Sequence, residues 1–274
     1  MNGWSKAVGP KLTDGMTTPT PHHPELLVRE VELLRPLQWL ALAWRDMERC
    51  PTAGVMHGLV LALIGGGCVW FARHAFWWLA AMLSVSMTIA PLLASGLYDI
   101  SRRLERGEDA SAVGAFRIWF SGDRRLRQFG LLLAVTSVGW LVCSAALIHW
   151  MLPASVYSPA DFVRLVVLQP NFGLFELWLI MGALLAAPMF ASTVITLPLL
   201  LDHTTLSLQQ AILTSWRVVA LNPMAMALWA GLLCLFTALG IGSAFLGLLA
   251  VVPMLGHASW HAYRDLVGHD ADAL

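Results

Sequence analysis

The chain has 274 residues, with 17 Lys and Arg against 17 Asp and Glu, so its formal charge is zero. Apolar residues make up 58% and charged residues 12%, where a soluble domain carries roughly 25% charged, and the mean hydropathy is +0.68. This balance excludes disorder, which needs low hydrophobicity and high net charge. It excludes nucleic-acid binding driven by bulk basicity, and it points away from a soluble enzyme toward an integral membrane protein.

Residues 1–34 hold Pro, Thr, His and charges but no apolar h-region, so they read as a disordered cytoplasmic tail and not as a signal peptide. Residues 36–50, PLQWLALAWRDMERC, predict an amphipathic helix too short and too charged to span, lying in the membrane interface. A span needs about 20 apolar residues, and 53–71 and 76–98 supply the first two. A second amphipathic segment covers 110–120, and spans follow at 129–151 and 173–201. The latter contains Pro188 and Pro198, which predicts a kink or tilt. A third amphipathic helix covers 208–221, opened by Ser207 and Gln210 at capping-box spacing. The last spans are 223–239 and 241–263, with a tight turn around Gly240 and Gly242. Residues 268–274 form a second cytoplasmic tail.

The fold class expected is therefore all-α integral membrane, with six transmembrane helices in three hairpins and both termini inside. With that orientation fifteen of the 17 Lys and Arg fall on the cytoplasmic side, and only Arg73 and Arg164 fall outside, as the positive-inside rule requires. Trp70, Trp77, Trp78, Trp150 and Trp178 fall at outer helix ends, and Trp39, Trp44, Trp119, Trp216 and Trp260 near inner ends. They read as an aromatic belt at headgroup depth.

Each amphipathic segment precedes a pair of spans. Trp44-Arg45 stands seven residues before Pro51, and Trp216-Arg217 seven before Pro223. Each of those prolines opens a span, where its missing N–H costs nothing. Another proline recurs late in each hairpin: Pro91, Pro188 and Pro253. The membrane domain, 35–267, thus divides into units of about 35–108, 109–205 and 206–267.

Ionisable groups at membrane depth are functional candidates by default. Glu176 lies near the outer start of the fourth span, where a helix N-terminus favours a carboxylate. Asp99 and Asp202 lie at inner helix ends and read as solvated, with Arg217 or Arg264 as a partner for Asp202. His257 and His261 are spaced i, i+4 on one helix face. They are the only candidate metal ligands, and they read as interface histidines beside Trp260 and Tyr263. His57 and His203 lie at comparable depth. The candidate functional positions are Glu176, Asp202, Asn222, Pro223, His257 and His261. His23-Pro24-Glu25 sits in a polar tail and reads as coincidence. Cys50, Cys68, Cys143 and Cys234 are scattered with no Cys-x-x-Cys, and no nucleotide-binding or hydrolase motif is present. No cofactor is expected. Gly65, Gly66 and Gly67 read as close-packing positions, and the Arg102–Arg127 run as a basic loop facing anionic lipid.

The stretch from Leu197 to Val267 resembles a bacterial integral-membrane family, domain of unknown function 2189. The resembling positions are Pro198, Asp202, Ala211, Ser215, Asn222-Pro223, Trp229, Gly247-Leu248, Pro253, Gly256-His257, Trp260-His261 and Tyr263-Arg264-Asp265. The segment RPLQWLALAWRDMERCP from Arg35 fits as well, so the likeness runs over about 35–267. Some members of the family are labelled subunits of cytochrome c oxidase, a role the candidate residues do not support. The threefold layout is more loosely similar to the membrane domain attached to some glycerophosphodiester phosphodiesterases, which implies a lipid or envelope context.

Two functional readings follow, both non-catalytic. One is an accessory or scaffold component of an inner-membrane assembly, with the lipid bilayer, other subunits or a second copy of the chain as partners and no nucleic acid. The other is a transporter or lipid-handling permease with a site near the fourth helix. The second requires a polar cavity reaching mid-membrane depth, lined by Glu176 or by Ser84, Ser86, Thr88, Ser192 and Thr193. The first requires a closed apolar core.

Overall fold

In hydrocarbon the backbone has no water to bond, so apolar runs of this length satisfy their amides internally as helix. The computed structural model, described for residues 26–168 and 173–268, is accordingly nearly all-α. Helix α1 is Arg35–Arg49, α2 Pro51–Ala72, α3 Phe76–Leu93, α4 Ser95–Glu105, α5 Ala112–Arg117 and α6 Arg124–Met151. Then follow α7 Pro159–Phe162, α8 Leu174–Thr193, α9 Thr196–Asp202, α10 Leu208–Leu221, α11 Pro223–Gly242 and α12 Leu248–Leu266. A π-helical turn, Val163–Val167, follows α7.

Five helical segments are long and apolar enough to cross a membrane: Pro51–Ala72, Phe76–Glu105, Arg124–Met151, Leu174–Asp202 and Pro223–Gly242. Two of them carry breaks. α3 gives way to α4 at Ala94, three residues after Pro91. α8 gives way to α9 at Val194 and Ile195. Pro198 has no N–H for the Val194 carbonyl, and its ring crowds that turn, which is the physical cause of the break. α12 is not among the five, although 241–263 is expected to span. Its apolar stretch is only Leu248 to Leu255, about 12 Å of helix, and His257, His261, Arg264 and Asp265 occupy the rest.

Helix contacts follow a ring. α12 packs along α2, α2 along α3, α3 along α6, α6 along α8, and α11 along α12. α8 and α11, which would close the ring, make no comparable contact. The α2–α12 approach is close because glycine permits it. A Cβ on Gly54 would lie 2.8 Å from Pro253 Cβ, and one on Gly58 would lie 2.6 Å from the Leu248 carbonyl oxygen. Gly66 and Gly67 touch nothing within 4 Å, so of the expected close-packing trio only Gly65, against Phe245, plays that part. The α11–α12 turn lies at 243–247, just past the expected glycines. Its left-handed positions are Ala244 and Phe245, with φ of 54° and 68°. Side chains are disfavoured there, and the contact of Phe245 with Gly65 accompanies that conformation.

At one end, which we call the polar end, α4, α9 and the second half of α12 converge. The three amphipathic helices pack around them: α1 on α12, α5 on α4, and α10 on α8 and α9. Trp39, Leu97, Ile195, Leu199, Trp229, Trp260 and Tyr263 form the core there. Trp39 and Trp260 are therefore not belt residues. They are 0% and 1% exposed, because α1 packs along α12. Trp70, Trp78 and Trp150, at 68%, 71% and 82% exposed, do match the belt. At the opposite end α7 and the π turn cover a second cluster around Ile148, Val156, Val166 and Leu174.

The tail expected to run to residue 34 enters the fold earlier. Leu27–Val28 pairs antiparallel with Val267–Gly268. The remainder of the expected tails, including His23-Pro24-Glu25, lies outside the described residues.

The glycine contacts make a contrast that thermal melting in detergent will test. Gly58→Ala forces a methyl into the α12 backbone and is expected to destabilise by about 1–3 kcal/mol. Gly66→Ala, with open space around it, is expected to leave stability unchanged or slightly raised.

Candidate functional site

α1 carries Pro36, Trp39, Ala43 and Asp46 on its buried face. A carboxylate in that apolar stripe needs partners, and it finds them on α4 and α12. Ser101 donates to Asp46 Oδ2 at 2.6 Å, and His261 Nε2 lies 2.8 Å from the same oxygen. Because the Ser101 proton is engaged by Asp46, His257 Nδ1, 2.8 Å from Ser101 Oγ, is the donor to it. The i, i+4 spacing of His257 and His261 therefore serves one buried carboxylate. His257 is fully buried. Asp46 itself carries a readable signal, an acid at i, i+3, i+4, i+7 spacing among apolar residues, which the sequence reading passed over.

The next turn of α12 continues the pattern. Trp260 donates to Glu105 at 3.0 Å, and Arg264 Nε to the other Glu105 oxygen at 2.8 Å. Tyr263 donates to Asp202 at 2.8 Å, and Arg106 pairs with Asp202 at 2.9 Å. Asp265 accepts from Arg35 Nη2 at 3.0 Å and from Trp39 Nε1 at 2.7 Å. Asp202 and Asp99 are thus not solvated helix ends. Their side chains are 5% and 3% exposed, and Arg102 and Arg103 pair with Asp99. Arg264 lies at 4.0 Å from Asp202, so of the two partners expected for Asp202 it is the one placed nearby. Arg125 donates to the carbonyls of Leu200, His203 and Leu206, which satisfies the end of α9 and opposes a cation to its dipole.

The other candidate positions are structural. Glu176 caps the start of α8, its carboxylate accepting from the Gly173 amide at 2.9 Å. Asn222 accepts from the Val31 amide at 2.8 Å and donates to the Arg29 carbonyl at 3.0 Å, so it ties the entering chain to the start of α11. Pro223 is the first residue of α11. His57 gives its Nδ1 proton to the Ala53 carbonyl at 2.8 Å and stacks on Phe116. Its Nε2 is wedged against Gly96, where an added Cβ would lie 2.6 Å away. Among the described residues no group of three or more His, Cys, Asp or Glu is placed to hold a metal ion.

Burial pushes the Asp46 carboxyl up, but the hydrogen bonds from His261 and Ser101 outweigh it and leave the group below its ordinary range. Asp265 shows the same balance, with burial raising it and Arg35 and Trp39 bringing it down.

Inside the open ring lies a cavity of about 580 Å³, within the size of small-molecule pockets, about 300–1,000 Å³. Leu61 of α2, Met87 of α3, Phe190 of α8, Leu233 of α11 and Val252 of α12 give its apolar wall. Ser86 and Thr193 line it as expected. Glu176, Ser84, Thr88 and Ser192 do not. Ser192 instead accepts from Trp216 at 2.9 Å.

A family model described as predicted integral membrane protein (DUF2189) matches residues 79–202. The match runs from α3 to the last residue of α9 and so takes in the α3 and α8 walls of the cavity. It is the family expected from the resemblance, found on the middle of the chain; the resembling stretch from Leu197 overlaps it only at 197–202. No curated protein and no solved structure matches the chain, and the glycerophosphodiester phosphodiesterase likeness finds no support.

Depressed carboxyls bind fewer protons folded than unfolded. Their contribution is complete above the ordinary carboxylate pKa, near 4, and is lost as pH falls through the lowered folded values. Melting temperature is therefore expected to be insensitive to these groups near neutral pH and to drop below about pH 4. Asp46→Asn should flatten that acid limb and cost about 1–3 kcal/mol at pH 7, since Ser101 and His261 exchange a charged acceptor for a weaker neutral one. Glu176→Gln, changing an exposed cap, should melt close to wild type.

Proposed function

We propose that this chain is a multi-pass protein of a bacterial inner membrane that crosses six times with both termini inside, and that it handles a lipid-like ligand without catalysing a reaction. The observation that carries the reading is an apolar cavity within the bundle, lined by α8 and α11 among other helices, beside the place where those two helices make little contact. A ligand entering between them leaves hydrocarbon for hydrocarbon and loses no hydration on the way.

The orientation rests on charge. The polar end holds Arg102, Arg103, Arg106, Arg125 and Arg264 in ion pairs or helix caps, and basic residues mark the cytoplasmic side. The sixth crossing is α12, whose apolar half lies within the bundle and whose polar half continues below it. Three repeated units are supported by the packing order. α5 lies on α4 of the unit before it, α10 on α8 and α9 of the unit before it, and α1 on α12 of the last unit. Each amphipathic helix thereby clasps the returning arm of its neighbour, and the three close a cycle.

An accessory or scaffold role would fit a closed apolar core, and the cavity is the feature it leaves unused. Purification from native membranes in mild detergent, followed by intact-mass and lipid analysis, separates the two readings. One lipid-like molecule per chain is expected, and it should be absent from Ala238→Trp, which fills the cavity wall. Stoichiometric recovery of other membrane subunits with an empty cavity would instead make the protein an accessory component.

A further inference from the structure

The arginines between Arg102 and Arg127 divide into two groups. Arg102 and Arg103 pair with Asp99, Arg106 with Asp202, and Arg125 with Asp123. The guanidinium groups of Arg117, Arg124 and Arg127 are exposed and have no hydrogen bond or ion pair among the described residues. Arg124 and Arg127 stand three apart in the first turn of α6, so they are neighbours on the helix surface. Cations there repel each other and oppose the helix dipole, so neither is placed to stabilise α6. Two residues after Arg127, the apolar run of α6 begins at Phe129, which sets the pair at headgroup depth.

Beside this pair lies a groove of about 350 Å³, formed where α3 ends and α6 begins. Leu92, Leu93, Ile118, Leu126 and the Trp119 ring give it an apolar wall, and Arg127 lines it as well. Its walls are tied together. Trp119 donates to the Leu93 carbonyl at 2.9 Å, and α3 lies so close to α6 that a Cβ on Gly130 would stand 3.1 Å from Leu92 Cδ2. Phe120, 85% exposed, adds an apolar ring to the groove. Asp123 is the one acid in the wall, and Arg125 occupies both its oxygens, with Nε 3.3 Å from Oδ1 and Nη2 2.8 Å from Oδ2. The negative charge in the groove is therefore matched, while the positive charge of Arg124 and Arg127 is not.

We infer that this groove seats one anionic phospholipid, its phosphate against Arg124 and Arg127 and the start of an acyl chain against Leu92, Ile118 and Leu126. An apolar wall beside two unmatched cations suits an amphiphile with a negative head. Free phosphate would leave the wall unused, and a zwitterionic lipid would bring its own cation to the arginines. The groove shares no lining residue with the cavity inside the bundle, so Ala238→Trp should leave it unaffected, and either site can fail without the other.

The test is native mass spectrometry of the full chain, delipidated in a neutral detergent and titrated with equal amounts of phosphatidylglycerol and phosphatidylcholine of the same acyl composition. Each arginine near an anionic headgroup is worth about fivefold, so the pair should give phosphatidylglycerol a preference of about twenty-fivefold. Arg124→Gln with Arg127→Gln should bring that preference close to parity. Arg45→Gln with Arg49→Gln removes the same charge from exposed positions on α1 and should leave it intact. Equal losses in the two double variants would show diffuse surface charge and overturn the inference, as would an absence of preference in the native chain. Should the α6 variant misfold, phosphatidylglycerol carrying a diazirine close to its glycerol decides in the native chain. Crosslinks are expected at Leu92 and within 118–126, and crosslinks confined to other segments refute the site. Loss of those crosslinks in excess inorganic phosphate would make it a free-anion site and overturn the lipid assignment.

Discussion

The structure depends on the burial of the polar half of α12. From His257 to Asp265 nearly every side chain that can hydrogen-bond reaches a partner on another helix: Ser101, Glu105, Asp46, Asp202, and Arg35 with Trp39. In a low-dielectric setting each such group is costly unless paired, so the helix can be buried only with α1, α4 and α9 all in place. That makes the polar end an all-or-nothing assembly. It also explains why α1 stands against α12: Trp39 and Asp46 have their partners on α12 and α4.

The apolar half of the bundle is under a looser rule. Helices in lipid gain little from excluding hydrocarbon, because the tails outside are as apolar as the side chains inside. Contact there depends on shape, and it is tightest where glycines let α2 approach α12. Nothing comparable draws α8 onto α11. A bundle clamped at one end and weakly packed at the other can keep an opening in its wall at small cost, and the cavity lies beside that opening. The same contrast divides the chain's polar residues. The charges gather at the clamp, while three hydroxyls of the cavity wall, Ser86, Thr193 and Ser259, bond back to their own helices.

Much of the architecture was legible because it follows from periodicity and length. The amphipathic helix at 208–221 and its Ser207–Gln210 box were readable to the residue, since a cap is a local matter of side chain and nearby amide. The break before Pro198 was readable for a similar reason, whereas Pro188 stays inside α8. The role of the i, i+4 histidines was not. Their spacing shows that they share a face, but the carboxylate they serve lies more than two hundred residues away on α1. Asp99 and Asp202 misled in the same manner, because a charge at a helix end reads as solvated until another helix covers it.

By itself, then, the sequence determined that this is a helical membrane protein, where its amphipathic and apolar segments lie, and which prolines interrupt them. Those features are set by hydrophobicity and backbone geometry within a few turns of each residue. The tertiary structure alone decided that the last helix is the hub, that its histidines belong to a structural network, and that the ring stays open between α8 and α11. Each of these is a relation between segments far apart in the chain. Complementarity between distant surfaces, of glycine with backbone and of carboxylate with donor, exists only once those surfaces have met.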